Sequence, residues 1–173
     1  MKQFLIIILF LSLTINAIGQ KALNDSVGEK EPIAIAGLGG AASSDIKSGR
    51  SSFGYNISVE FTPIENWLEL EIGVTPTFGA HLREQDIDIL FKKPWTLSPK
   101  VEFMFGLGLA WNHTSSYSVT TNSVGGELAL DFMFWPSAKR RFGWFLEPAY
   151  EYGFGQGHEQ SVGISGGLLV AIR

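Results

Sequence analysis

The sequence predicts an all-β protein, an eight-stranded antiparallel up-and-down transmembrane β-barrel. Three observations predict it. From Ile33 to the C-terminus, apolar and polar residues alternate with period two in eight successive segments. Aromatic residues gather at the ends of those segments, and no segment sustains the 3.6-residue period of a helix. The composition agrees: of 173 residues, 45% are hydrophobic and 17% charged, against about 25% charged in an average globular chain. A disordered chain would need fewer apolar residues and more charge. The absence of cysteine excludes a disulfide scaffold, a thiolate metal site, a cysteine nucleophile and a lipidated N-terminal cysteine. With 13 Lys+Arg against 17 Asp+Glu and a net charge of -4, the chain offers no basic nucleic-acid surface.

The first residues set the compartment. Lys2 supplies a positive start, and Phe4 to Leu13 is an apolar run with Ser12 as its one polar residue. A spanning helix would need about 20 such residues, and the polar Thr14-Ile15-Asn16 follows at once. Ala17-Ile18-Gly19 has the small-x-small pattern of a signal-peptidase site, so cleavage is expected before Gln20. The run reads as an export signal rather than a membrane anchor. The expected division is a signal peptide over 1–19, a short segment over 20–30 and the barrel over 31–173.

The strands follow in order. Ile33 to Gly40 is a first strand of ambiguous phase. In the second, Phe53, Tyr55, Ile57, Val59 and Phe61 oppose Gly54, Asn56, Ser58, Glu60 and Thr62. After a turn at 63–66, Leu68, Leu70, Ile72, Val74, Pro76 and Phe78 oppose Glu69, Glu71, Gly73, Thr75 and Thr77. Asp86 to Lys92 forms a shorter strand with Ile87, Ile89 and Phe91 on its apolar face. Val101, Phe103, Phe105, Leu107, Leu109 and Trp111 then oppose Glu102, Met104, Gly106, Gly108, Ala110 and Asn112. Leu128, Leu130, Phe132 and Phe134 oppose Glu127, Ala129, Asp131 and Met133. Trp144, Leu146, Pro148, Tyr150, Tyr152 and Phe154 oppose Phe145, Glu147, Ala149 and Glu151. The last strand sets Val162, Ile164, Leu168, Val170 and Ile172 against Ser161, Gly163, Ser165, Gly167, Leu169 and Ala171. Residues 63–66, 92–99 and 136–142 read as turns at one end, and 41–50, 79–85, 112–123 and 155–160 as loops at the other.

Alternation does not say which face is inside, because a soluble lipocalin-like barrel alternates with its apolar face inward. The bulk of Phe, Trp, Tyr, Leu and Ile on the apolar face would overfill a narrow eight-stranded interior, whereas the Gly, Ala and Ser of the other face fit it. Phe61, Trp67, Phe91, Trp95, Phe134, Trp135 and Trp144 form an expected girdle at one end. Phe53, Phe78, Trp111, Tyr152 and Phe154 form the other, as a lipid-embedded barrel requires. The apolar face is therefore expected to meet lipid.

Over the whole barrel the pattern resembles the small outer-membrane β-barrel proteins of Gram-negative bacteria. In the last strand, Ser165, Gly167, Val170 and Ile172 match the signal that the barrel-assembly machinery reads in that family; Arg173 stands where the family has an aromatic residue. The resemblance implies an outer-membrane location with both termini and residues 20–30 in the periplasm. It implies as partners outer-membrane lipid and the assembly machinery, with no nucleic acid. It carries no activity, no cofactor and no extracellular ligand.

Candidate sites lie mostly on the polar face. Glu60, Glu69, Glu71, Glu102, Glu127, Asp131, Glu147 and Glu151, with Asp86 and Asp88, make an acidic lumen in which Lys92, Lys100 and Arg173 are the basic residues. The expected result is a closed interior of hydrogen-bonded carboxylates. His81, His113 and His158 are expected in outer loops as solvated side chains; their spacing is not that of a metal site, and no metal is expected. His113-Thr114-Ser115 followed by Glu127 resembles the His-x-Ser pair and downstream Glu of outer-membrane lipid A deacylases. That resemblance implies Ser115 as nucleophile, His113 as base and Glu127 as its orienting partner. The sequence departs from that family in carrying Ser116 where it has Asn, and in placing the pair after the fifth strand rather than near the last hairpin. Gly37-Leu38-Gly39-Gly40-Ala41-Ala42 fits G-x-G-x-x-A, but no helix follows to hold a pyrophosphate, so it reads as a glycine-rich strand end. A non-enzymatic barrel with a structural or surface-binding role is the leading expectation, and a lipid A acyl-ester hydrolase is the alternative.

Overall fold

The computed structural model describes residues 32–79, 82–116, 119–137, 139–155 and 157–172. The expected signal peptide and the 20–30 segment, His81 and Arg173 lie outside the described residues. Eight strands follow one another: β1 (Ala34–Asp45), β2 (Ser51–Ile64), β3 (Leu68–Gly79), β4 (Leu82–Ser98), β5 (Val101–Ser116), β6 (Val119–Phe134), β7 (Phe142–Gly153) and β8 (Gln160–Ile172). Each pairs antiparallel with the next, and β1 pairs with β8 to close the ring. The first strand begins and the last strand ends at the same end of the barrel, where the Ile33 N–H donates to the Ile172 carbonyl at 2.9 Å. This is the terminus end, and the opposite one is the loop end.

Period-two alternation decides which way each side chain points. Large apolar residues face outward and stay exposed: Leu107 is 52% and Leu168 69% accessible, whereas Glu60, Glu71, Lys92 and Asp131 are almost wholly buried inside. A soluble barrel would invert that distribution. The exterior of an eight-stranded ring that is apolar all round has lipid as its solvent, because closure leaves no strand edge unpaired in the hydrocarbon. Every face assignment made for β2 to β8 holds, and β1 takes the phase that turns Leu38 outward.

The strands are longer than alternation predicts. They run 12 to 17 residues, beyond the roughly 9–11 that cross a bilayer. Residues expected as loops at 79–85 and 112–123 belong largely to β4, β5 and β6, and the expected turn at 92–99 is the end of β4. His113 is accordingly on a strand rather than in a loop. The cause is physical. Outside the hydrocarbon both faces can be polar, so alternation fades while the backbone ladder continues, as in the pairs Asn112↔Ser123, His113↔Asn122 and Thr114↔Thr121.

Aromatic contacts mark the terminus end, where Phe134 stacks on its cross-strand partner Trp144 at 4.1 Å and Trp95 on Phe103 at 5.6 Å, and Phe103 packs tilted against Phe132 at 5.1 Å. Trp135 does not join them. It follows Phe134 in phase, so it turns inward and is 1% exposed, while its backbone N–H donates to the Lys100 carbonyl at 2.8 Å. At the closing seam Gly39 faces Gly167, and a Cβ on either would collide with the backbone of the other strand. That seam requires glycine.

Candidate functional site

The lumen is the site, and its residues sort into layers along the axis. At the terminus-end mouth, Arg140 from the β6–β7 turn donates to Glu102 of β5 at 2.8 Å. Above it Ile35, Met104, Met133, Trp135, Phe145 and Leu169 pack into an apolar plug. These side chains come from β1, β5, β6, β7 and β8 and the turn after β6. Met104, Met133, Phe145 and Leu169 stand on the polar face of the sequence pattern, so alternation places them inside, and only their shared end of the barrel makes them a core with Ile35 and Trp135.

Directly above the plug stands Lys92, fully buried. Its Nζ donates to Glu60 Oε1 at 3.1 Å, Glu71 Oε2 at 2.6 Å, Asp131 Oδ2 at 3.1 Å and Glu147 Oε2 at 2.5 Å. The partners come from β2, β3, β6 and β7, so one ammonium ties five of the eight strands across the lumen. Gly106 on β5 gives the lysine stem its room, since a Cβ there would lie 3.0 Å from Lys92 Cγ. Ser165 Oγ also donates to Glu147 Oε1, at 3.5 Å. Buried charge is retained only where partners surround it, and here a single lysine meets four carboxylates.

Above Lys92 the lumen widens into a cup of about 360 Å³ reaching the loop end. Its wall carries Glu84, Asp86, Asp88, Glu127 and Glu151, and its floor reaches Glu147. Ser52 and Thr77 hydroxyls donate to Glu84 Oε2 at 3.1 and 3.3 Å, and the Asn112 amide donates to Glu151. Asp88 lies over Gly73, its cross-strand partner, in the space a side chain there would fill. At the rim, the Ser48 N–H donates to Asp45 Oδ1.

The structure thus separates the carboxylates that the sequence puts on one face. Glu60, Glu71, Asp131 and Glu147 surround Lys92; Glu69 lies buried across the β3–β4 ladder from it; Glu127 and Glu151 face the cup; Glu102 is alone with Arg140 at the far mouth. Sequence reading counted Lys92 among the lumen's basic residues but missed that it is the hub. The signal was there: Lys92 shares parity with Asp86 and Asp88, which makes it a lone lysine on a carboxylate-bearing face.

His113, Ser115 and Glu127 are not brought together. His113 shares the outer face with Trp111, 5.8 Å between ring centroids, and its Nδ1 bonds Asn122 Oδ1 at 2.8 Å. Glu127 faces the lumen opposite Gly108, on the other side of the barrel wall. His158 lies in the β7–β8 loop as expected, stacked 5.6 Å from Tyr152. Among the described residues, the acidic and histidine ligand atoms that approach within 4.8 Å of one another are those of Glu60, Glu71 and Asp131, which Lys92 already occupies. Of the expected assembly signal, Ser165 and Gly167 face inward on β8 while Val170 and Ile172 face outward.

No protein-family model and no curated protein matches the chain. Solved structures do. Neisserial surface protein A (NspA) is 18% identical with a TM-score of 0.63, over 80% of this chain and 96% of that one. Ail, the attachment invasion locus protein of Yersinia pestis, is 14% identical with a TM-score of 0.55, over 81% and 99%. The outer membrane protein OprG from Pseudomonas aeruginosa is 14% identical with a TM-score of 0.58, over 83% and 97%. Identities this low speak for the fold, and the chain has the fold of the small eight-stranded outer-membrane β-barrels.

Proposed function

We propose that the protein is a non-enzymatic barrel of the outer membrane, with its termini in the periplasm and its loop end facing out of the cell. In this reading the wall is structural, the lumen is closed, and the outward cup and hairpins serve surface binding. The observation that carries the reading is the layered lumen. An apolar plug and a five-strand ion cluster block passage from the terminus end, while the opposite end stays open and polar. The apolar exterior supports lipid as the surrounding partner. The even strand number supports termini on one side. The last strand, with Ser165, Gly167, Val170 and Ile172, supports handling by the barrel-assembly machinery. Nothing in the placement of His113, Ser115 and Glu127 favours the acyl-ester hydrolase.

Cell fractionation tests the reading. The protein is expected with the outer membrane, running at different gel mobilities before and after boiling. A tag inserted after Ser48 is expected to be reached by protease on intact cells. Recovery in the soluble periplasmic fraction, or protection of that tag in intact cells with cleavage only after lysis, overturns it.

A further inference from the structure

The cup has the volume of a small-molecule site, about 360 Å³, where such sites hold about 300–1,000 Å³. Its described lining is strongly acidic: Glu84, Asp86, Asp88, Glu127, Glu147 and Glu151 face it, and Arg50 near the rim is its basic side chain. Acidity alone would make it a solvated mouth. Two buried acceptors make it more. Asp88 is 7% and Asn56 4% exposed, both line the cup, and Asp88 Oδ2 and Asn56 Oδ1 have no hydrogen-bond partner. A buried acceptor without a donor is costly to leave so. Both are oxygens, so the missing groups are donors.

The donor's chemistry is visible one layer down. Lys92 is an alkylammonium on a flexible stem, and the lumen surrounds its Nζ with four carboxylates at 2.5–3.1 Å. Glu147 belongs to both layers: its Oε2 binds Lys92, and the residue also lines the cup floor. The same acidic wall continues upward with no tethered ammonium to meet it among the described residues. A metal ion fits less well. Cup carboxylates do not converge on a point; among described residues the convergent set is Glu60, Glu71 and Asp131 around Lys92. Dispersed acceptors along a narrow cup match an extended cation with N–H donors spaced along a chain.

We propose that the cup is a binding site for a linear aliphatic polyamine, whose ammonium groups are taken by Asp88 and Glu127 near the floor and by Glu84 and Glu151 on the wall. The inference goes beyond the barrel's proposed location and is tested on purified protein, independent of it. Spermidine titrated by calorimetry into detergent-folded protein should give saturable one-site binding. Asp88→Asn with Glu127→Gln should weaken it at least tenfold, with heat-dependent gel mobility showing the barrel intact. If that pair does not fold, Glu151→Gln on the upper wall is the substitute, expected to weaken binding severalfold. Absence of saturable binding at millimolar spermidine overturns the proposal. So does equal affinity in a folded variant. Binding of Mg²⁺ alone with displacement of spermidine at lower concentration would assign the cup to metal instead.

Discussion

Lys92 on β4 and Glu147 on β7 meet across the lumen, Nζ to Oε2 at 2.5 Å. Their strands stand three apart in the ring of eight, so a contact between them leaves no open path along the axis at that height. The same ammonium holds Glu60, Glu71 and Asp131. The seal at that height therefore rests on one side chain.

Lys92→Met keeps the stem's bulk and removes the charge. Removing one partner of a buried ion pair costs about 3–5 kcal/mol, because the remaining charge is stranded. Urea unfolding in detergent should show a loss of that order. Lys92→Arg is expected to fall between, since the guanidinium fork cannot reproduce four contacts from one nitrogen. A wild-type midpoint for Lys92→Met would show that the carboxylates find other partners.

Leu107→Arg puts a cation on the outward face, where Leu107 is 52% exposed. At mid-bilayer this costs about 2–4 kcal/mol, so folding into lipid vesicles should slow and the folded fraction drop. Phe103→Arg should behave alike, and Ser116→Arg, beyond the apolar band, should be tolerated. Equal tolerance at all three positions would mean that this face does not meet lipid.

Gly39→Val and Gly167→Val target the closing seam, where either Cβ meets backbone of the other strand. Both should abolish the compact, unboiled gel form. Gly40→Val, whose Cβ would have open space, should retain it.

These expectations differ in how far the sequence reveals them. Faces were legible because period two is a local property: Phe103 out and Glu102 in follows from neighbours alone. The ends of β4, β5 and β6 were not, because beyond the hydrocarbon nothing forces Thr114 and Thr121 to alternate, and the ladder between them is written only in backbone hydrogen bonds. Trp135 looks like a girdle residue by composition, and its inward turn follows from a parity that strand-end reading ignores. The lumen carboxylates were legible as a set, but their sorting into layers depends on strand register and stagger. Register places Lys92 beside Glu71 and Asp131, which are 21 and 39 residues away in the chain, and no single-strand pattern encodes it. For the same reason His113, Ser115 and Glu127 look adjacent in sequence logic while the barrel wall stands between Glu127 and the other two.

Trp135→Ala should loosen the plug. Truncating a buried aromatic costs about 3–5 kcal/mol, and the midpoint should fall accordingly. Because Lys92 closes the next layer independently, this variant alone should stay non-conducting, whereas Trp135→Ala combined with Lys92→Ala should leak small ions into liposomes. Leak from Trp135→Ala alone would show that the ion cluster does not seal the lumen.

Planar-bilayer recording of the wild-type protein tests the closed, layered lumen most directly. The plug and the Lys92 cluster predict silence at physiological salt: no steady conductance, and no passage of sugars in the parallel liposome-swelling assay. Steady nanosiemens conductance from the folded barrel would contradict them.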